Sequence, residues 1–160
     1  MAEFAVKMDM LISSLREKNE ALTMILNITE NQGQLLKMDK NKDSEMLELF
    51  GTMNEAKQEH IERTLELDRL FQGVFEGISE NFEEQARGTI EKTATLQSLT
   101  NEALELDVKI RASEQKNRTE ILQRNIELSQ IRRAAKPAGK SSKAELLKKY
   151  AQNKKPAGNV

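Results

Sequence analysis

The stretch that decides the fold is Met8 to Leu36, MDMLISSLREKNEALTMILNITENQGQLL. Met8, Leu15, Leu22 and Leu36 stand at multiples of seven, with Leu11, Ile12, Ile25, Leu26 and Ile28 beside that row. Spacings of three and four put these side chains on one helical face. Lys18, Asn19, Thr29 and Gln32 interrupt it. An imperfect stripe of this kind predicts a helix in a short bundle rather than a long fibrous coil.

The stripe ends at Met38, and Asp39-Lys40-Asn41-Lys42-Asp43-Ser44 follows. This cluster holds good N-cap residues, and Glu45 falls in the first turn of what comes next, so the chain is predicted to reverse here. A second helix is expected from about Ser44 to Gln85, its face made of Leu47, Phe50, Met53, Ile61, Leu65, Phe71, Val74, Phe75, Ile78 and Phe82. The polar stretch Asn54 to His60 predicts a projecting or frayed segment within it. Gly73 and Gly77 each cost about 1 kcal/mol relative to Ala in a helix interior, which suits a close approach or a bend. Arg87-Gly88-Thr89 offers a glycine followed by an N-cap, and marks the second break. A third helix is expected over 89–132, with one apolar patch at Leu96, Leu99, Ala103, Leu104, Leu106 and Ile110. A second patch holds Ile121, Leu122, Leu128 and Ile131, beyond the polar run Arg111 to Glu120.

Composition agrees with long helices. The chain has 160 residues, and its two prolines are Pro137 and Pro156, so residues 1–136 contain none. Charged residues make up 32%, above the roughly 25% of an average protein. Three rods of about 40 residues, each about 60 Å long, joined by short turns, bury their seams by packing antiparallel. The expected fold is all-α: three long antiparallel helices in a coiled-coil-like bundle, followed by a flexible basic C-terminal tail. The bundle is assigned to residues 1–132 and the tail to 133–160.

The net charge of −1 conceals a division. From Arg132 onward there are nine basic residues and one acid, Glu145, which gives +8; the 16 basic and 25 acidic residues before it give −9. Within the tail, Ser142-Lys143-Ala144-Glu145 has capping-box spacing ahead of Leu146, Leu147 and Tyr150. That predicts a short helix at about 142–152, too short to be stable alone and inducible on a partner.

Several functions are excluded or disfavoured. There is no cysteine, hence no disulfide, thiolate zinc site, iron–sulfur cluster or thiol nucleophile. His60 is the one histidine, and Lys57 stands where a Glu-x-x-His metal motif would need its carboxylate. No catalytic residue, metal site or cofactor is therefore expected. Ala138-Gly139-Lys140-Ser141 imitates the end of a phosphate loop, but residue 134 is alanine and Pro137 lies inside it. The tail has one aromatic and follows an acidic body, which argues against specific nucleic-acid binding. No apolar run approaches the ~18 residues of a membrane span, and the acidic start Met1 to Asp9 lacks the features of a secretory signal. A cytoplasmic protein is expected. All seven methionines lie in the first 53 residues, and Met10 and Met24 sit off the main row, which predicts some exposed apolar surface.

The order of features resembles a known family. Asn31-Gln32-Gly33-Gln34-Leu35-Leu36 closes the first helix, Leu67-Asp68-Arg69-Leu70-Phe71-Gln72-Gly73-Val74-Phe75 lies in the second, and Ile110 to Arg118 (IRASEQKNR) in the third. With Ser141 to Tyr150, these resemble the flagellar export chaperones of the FlgN type. The resemblance implies a chaperone that binds the amphipathic C-terminal helices of hook–filament junction proteins, prevents their premature assembly and delivers them to the type III export gate. It implies a client-binding seam on the third helix, at Leu96, Leu99, Leu106, Ile110, Ile121, Leu122 and Leu128, completed by a client helix. It also implies docking at the export gate through Tyr150 with Leu146 and Leu147. The same apolar pattern is open to a second reading, a homodimer or larger homo-oligomeric coiled coil acting as a structural or adaptor protein.

Overall fold

In the computed structural model, which describes residues 2–135, every regular element is helical. Helix α1 spans Ala2–Leu35, α2 Asp43–Glu76, α3 Phe82–Ala86 and α4 Ile90–Ala135, with 3₁₀ turns at Lys40–Lys42 and Ser79–Asn81. The chain is all-α over these residues. Leu146, Leu147, Tyr150 and the segment at about 142–152 lie outside the described residues.

Helix α1 opens with Glu3 in its first turn, where a carboxylate suits the positive helix end. It closes in tightened turns, Lys37 N donating to Gln34 O and Met38 N to Leu35 O. Asp39 then caps the first 3₁₀ turn by accepting from Asn41 N at 3.0 Å. Helix α2 returns antiparallel to α1. Lys57 meets Gln32, Arg63 meets Glu17, and Lys18 meets Asp68 at 2.8 Å.

The second helix stops at Glu76, short of the expected Gln85. Gly77 follows, and a Cβ there would lie 3.2 Å from Lys7 Nζ and 3.3 Å from Val74 O, so a larger residue would crowd the last turn of α2 and the Lys7 ammonium. Ile78 then leaves helical geometry (φ −126°, ψ 1°) and is buried. The reversal lets Phe82 pack on Phe4 at 5.8 Å and on Phe75 at 5.4 Å between ring centroids. Tilted rings at these distances are favourable beyond their burial, and they close this end of the core.

Most of the expected face of α2 points inward: Ile61, Phe71, Val74 and Phe75 pack against the core. Met46, Lys57, Thr64 and Leu67 are its buried residues, whereas Leu47 and Leu65 are exposed. Helix α4 continues unbroken through Arg111–Glu120. It runs alongside α1 in the same direction: Lys92 pairs with Asp9 at 2.7 Å, and Asn117 reaches the Thr29 carbonyl at 2.8 Å.

Helix α1 is the centre of the packing. Phe4, Met8, Leu11, Ile12, Leu15, Ala21, Leu22 and Ile25 are all buried on it, while α4 contributes Leu96 and Ala103. Each large apolar side chain buried in this way contributes about 1.5–3 kcal/mol. The chain divides into a compact unit of residues Met1–Glu120 and a second unit that begins at Ile121. No helix among the described residues is long and apolar enough to cross a membrane.

Candidate functional site

The interruptions in the first apolar stripe are where the helices recognise one another. Asn19, Thr29 and Gln32 are buried on α1, and Lys57 on α2. Lys57 Nζ donates to Gln32 Oε1 at 2.7 Å, to Glu114 Oε1 on α4 at 2.9 Å, and to Thr29 Oγ1 at 3.4 Å. Gln32 Nε2 in turn donates to Asn54 Oδ1 at 2.7 Å. Thr29 Oγ1 donates to Ile25 O and its carbonyl accepts from Asn117 Nδ2. One polar layer thus links α1, α2 and α4.

The layer depends on a missing side chain. A Cβ on Gly33 would stand 2.7 Å from Asn117 Oδ1, a separation that real structures do not tolerate. Glycine here makes room for the Asn117 amide between α1 and α4. Asn31 to Leu36 and Ile110 to Arg118, two of the four segments that carry the resemblance, meet at this layer through Gln32, Gly33, Glu114 and Asn117.

Burial within the layer is uneven. Lys57 is only 7% exposed, whereas the Glu114 side chain is 40% exposed. The buried ammonium is held from α1 by two neutral acceptors and balanced from α4 by a carboxylate that faces water. Buried charge without a counter-charge is costly, so α4 supplies the electrostatic half of this contact.

Above the layer, α4 sits on the core through an apolar seam. Leu96 and Ala103 are buried, and Leu99, Leu106 and Ile110 pack partly buried against the same core. Four of the residues read from the sequence as client-binding, Leu96, Leu99, Leu106 and Ile110, therefore face the chain's own core. A client helix could reach them only by parting α4 from α1. The other three lie in the second unit, where Leu122 is exposed and Ile121 and Leu128 are half-buried.

The seam contains a weak point. Asn19 Nδ2 donates to Leu99 O at 3.0 Å and to Glu102 Oε1 at 3.2 Å, but its buried Oδ1 has no hydrogen-bond partner. An unmet buried acceptor costs roughly 1–3 kcal/mol. On its other side α4 carries Leu104 and Val108, 61% and 65% exposed. Leu104 also borders an apolar groove of about 200 Å³, lined by Leu15, Leu67, Phe71, Thr100 and Ala103 among others. The Thr100 hydroxyl is turned to Leu96 O, so its polar atom is occupied.

Sequence reasoning missed Lys57, which falls in the stretch expected to project. The available signal was its position, eleven residues after Met46 and seven before Thr64, on one helical face. His60 is half-buried, and no group of three or more potential metal-ligating side chains occurs among the described residues. Arg63 has its pKa raised, chiefly by the hydrogen bond to Glu17, and stays charged at any ordinary pH. Comparison with known proteins found no matching family model, curated protein or solved structure.

Proposed function

We propose that the protein is a cytoplasmic chaperone of flagellar type III export, which binds the amphipathic C-terminal helices of hook–filament junction proteins and delivers them to the export gate. Its framework is an antiparallel, coiled-coil-like bundle of three long helices. The observation that carries this reading is the unequal holding of the helices. Helix α1 buries a full apolar face, while among the apolar residues described on α4 only Leu96 and Ala103 are buried, Leu99, Leu106 and Ile110 are half-buried, and Leu104 and Val108 stay in water. A helix seated so lightly in a groove formed with a neighbour marks a place where another helix can sit, the mode of amphipathic helix-in-groove recognition.

Two further observations support it. The α1–α2 pair has polar contacts that do not involve α4, Lys57 with Gln32 and Thr29, and Lys18 with Asp68. The Asn19 carbonyl oxygen has no hydrogen-bond partner within the protein while α4 is seated. The client occupies the place of α4, and the basic tail with Leu146, Leu147 and Tyr150 serves docking at the gate.

Titration with C-terminal helix peptides of junction proteins, followed by calorimetry, tests the reading. Saturable one-to-one binding with a negative heat-capacity change supports it; no binding by a folded monomer refutes it. A homo-oligomeric coiled coil is the second reading. It is favoured by the exposed Leu47, Leu49, Leu65 and Leu70 on α2. Sedimentation separates the two, because a tight dimer indifferent to client helices belongs to the second reading.

A further inference from the structure

The helix that now occupies the seat specifies what the seat accepts. Helix α4 presents Leu96, Leu99, Ala103, Leu106 and Ile110 at intervals of three, four, three and four. Glu114 follows four residues later and Asn117 three after that. The apolar part of this pattern is common to most amphipathic helices and discriminates little. The polar part meets fixed features of α1 and α2.

We propose that the seat selects partner helices by charge as well as by apolar spacing: Lys57 reads a carboxylate placed four residues past the last apolar position. The inference rests on the helix-exchange reading given above. Lys57 Nζ is buried and has a direction to point in, because Gln32 and Thr29 hold it from the α1 side. Its remaining contact, Glu114 at 2.9 Å, comes entirely from the seated helix. A replacement helix with glutamate or aspartate at that position restores the pair. One with a neutral residue leaves the ammonium without its counter-charge, and one with lysine or arginine places two like charges together.

A second feature reads the next position. Gly33 opens a space that the Asn117 side chain fills, and the Thr29 carbonyl accepts from its amide. Three residues past the carboxylate the partner therefore carries asparagine or a smaller side chain. The partner class is an amphipathic helix whose apolar repeat is followed by an acid and then by a small amide or polar residue.

The test uses the full-length protein and a synthetic helix with Leu, Leu, Ala, Leu and Ile at spacings of three, four, three and four, made with Glu, Gln or Lys four residues past the isoleucine and Asn three residues beyond that. Fluorescence anisotropy is expected to rank them Glu, Gln, Lys, with about tenfold or more between the first and last. The ranking is expected to collapse in a Lys57→Gln protein whose helicity is unchanged. Equal affinity of the three peptides for the unaltered protein overturns charge selection while leaving helix binding in place. No binding of any of them overturns the helix-exchange reading on which the selection rests. The comparison on the unaltered protein stands even where Lys57→Gln fails to fold.

Discussion

Replacing Lys57 by methionine isolates what the polar layer contributes. The substitution removes an ammonium with acceptors at 2.7, 2.9 and 3.4 Å and leaves a side chain of comparable length. Thr29 still donates to Ile25 O, and Glu114, partly exposed, turns to water. Gln32 cannot do so: it is fully buried, and its Oε1 loses its donor while Nε2 keeps Asn54. An unmet buried carbonyl costs about 1–3 kcal/mol, and relief from burying the ammonium offsets part of that, so Lys57→Met should destabilise by about 1–2 kcal/mol. Gln32→Leu alone strips Lys57 of its shortest contact and should cost more, about 2–4 kcal/mol. In the double variant neither buried group remains, and stability should return to within about 1 kcal/mol of the parent. The coupling between the two sites is then about 2 kcal/mol or more. Urea unfolding of the four proteins followed at 222 nm measures it, and each kcal/mol should also move Tm by about 2–4 °C. If the double variant loses the sum of the two single losses, Lys57 and Gln32 do not depend on each other and the layer has been misread.

Other substitutions follow from the same packing. Gly33→Ala gains about 1 kcal/mol of helix propensity, but its Cβ displaces Asn117 and breaks the bond to Thr29 O. The single variant should be less stable than Gly33→Ala/Asn117→Ala, and the reverse order in thermal melts would contradict the contact. Gly51 and Gly73 lie in α2 with open space around them, so changing both to alanine should stabilise by about 1–2 kcal/mol in total, read from chemical denaturation. Phe4→Ala removes a buried ring packed on Phe82 and should cost about 3–5 kcal/mol, with near-ultraviolet or methyl resonances showing the α2–α3 end loosened. A loss below about 1 kcal/mol would mean that this end is not part of the cooperative core.

Much of the first helix was legible because its partners need not be known to recognise it. Met8, Leu15, Leu22 and Leu36, placed in one row by spacing alone, are all buried. The turn at Asp39 was equally local, since an acid accepting from the amide two residues on is encoded in the segment itself. Lys57 was hidden for the opposite reason. A lysine amid Glu55, Gln58 and Glu59 resembles solvated charge, and only Gln32 and Glu114, distant in sequence, make its burial tolerable. The end of α2 at Glu76 was likewise tied to a distant contact, Phe4 against Phe82. The candidate site was half legible. Leu96, Leu99, Leu106 and Ile110 were found as one apolar seam, but periodicity gives the face of a helix and not what covers it, and α1 covers this one.

The exchange of α4 for a client helix can be tested by tying α4 down. A Cβ at position 33 would lie 3.7 Å from Asn117 Cγ, so α1 and α4 approach closely enough here to try a Gly33→Cys/Asn117→Cys tether, its closure checked by loss of free thiol, and the chain has no cysteine of its own to interfere. The synthetic glutamate-bearing helix, made with alanine three residues past the glutamate because position 33 no longer offers the glycine's space, should bind this variant when it is reduced, lose that binding when it is oxidised, and regain it with reductant. Equal binding in the oxidised and reduced forms would place the partner helix elsewhere and contradict the account.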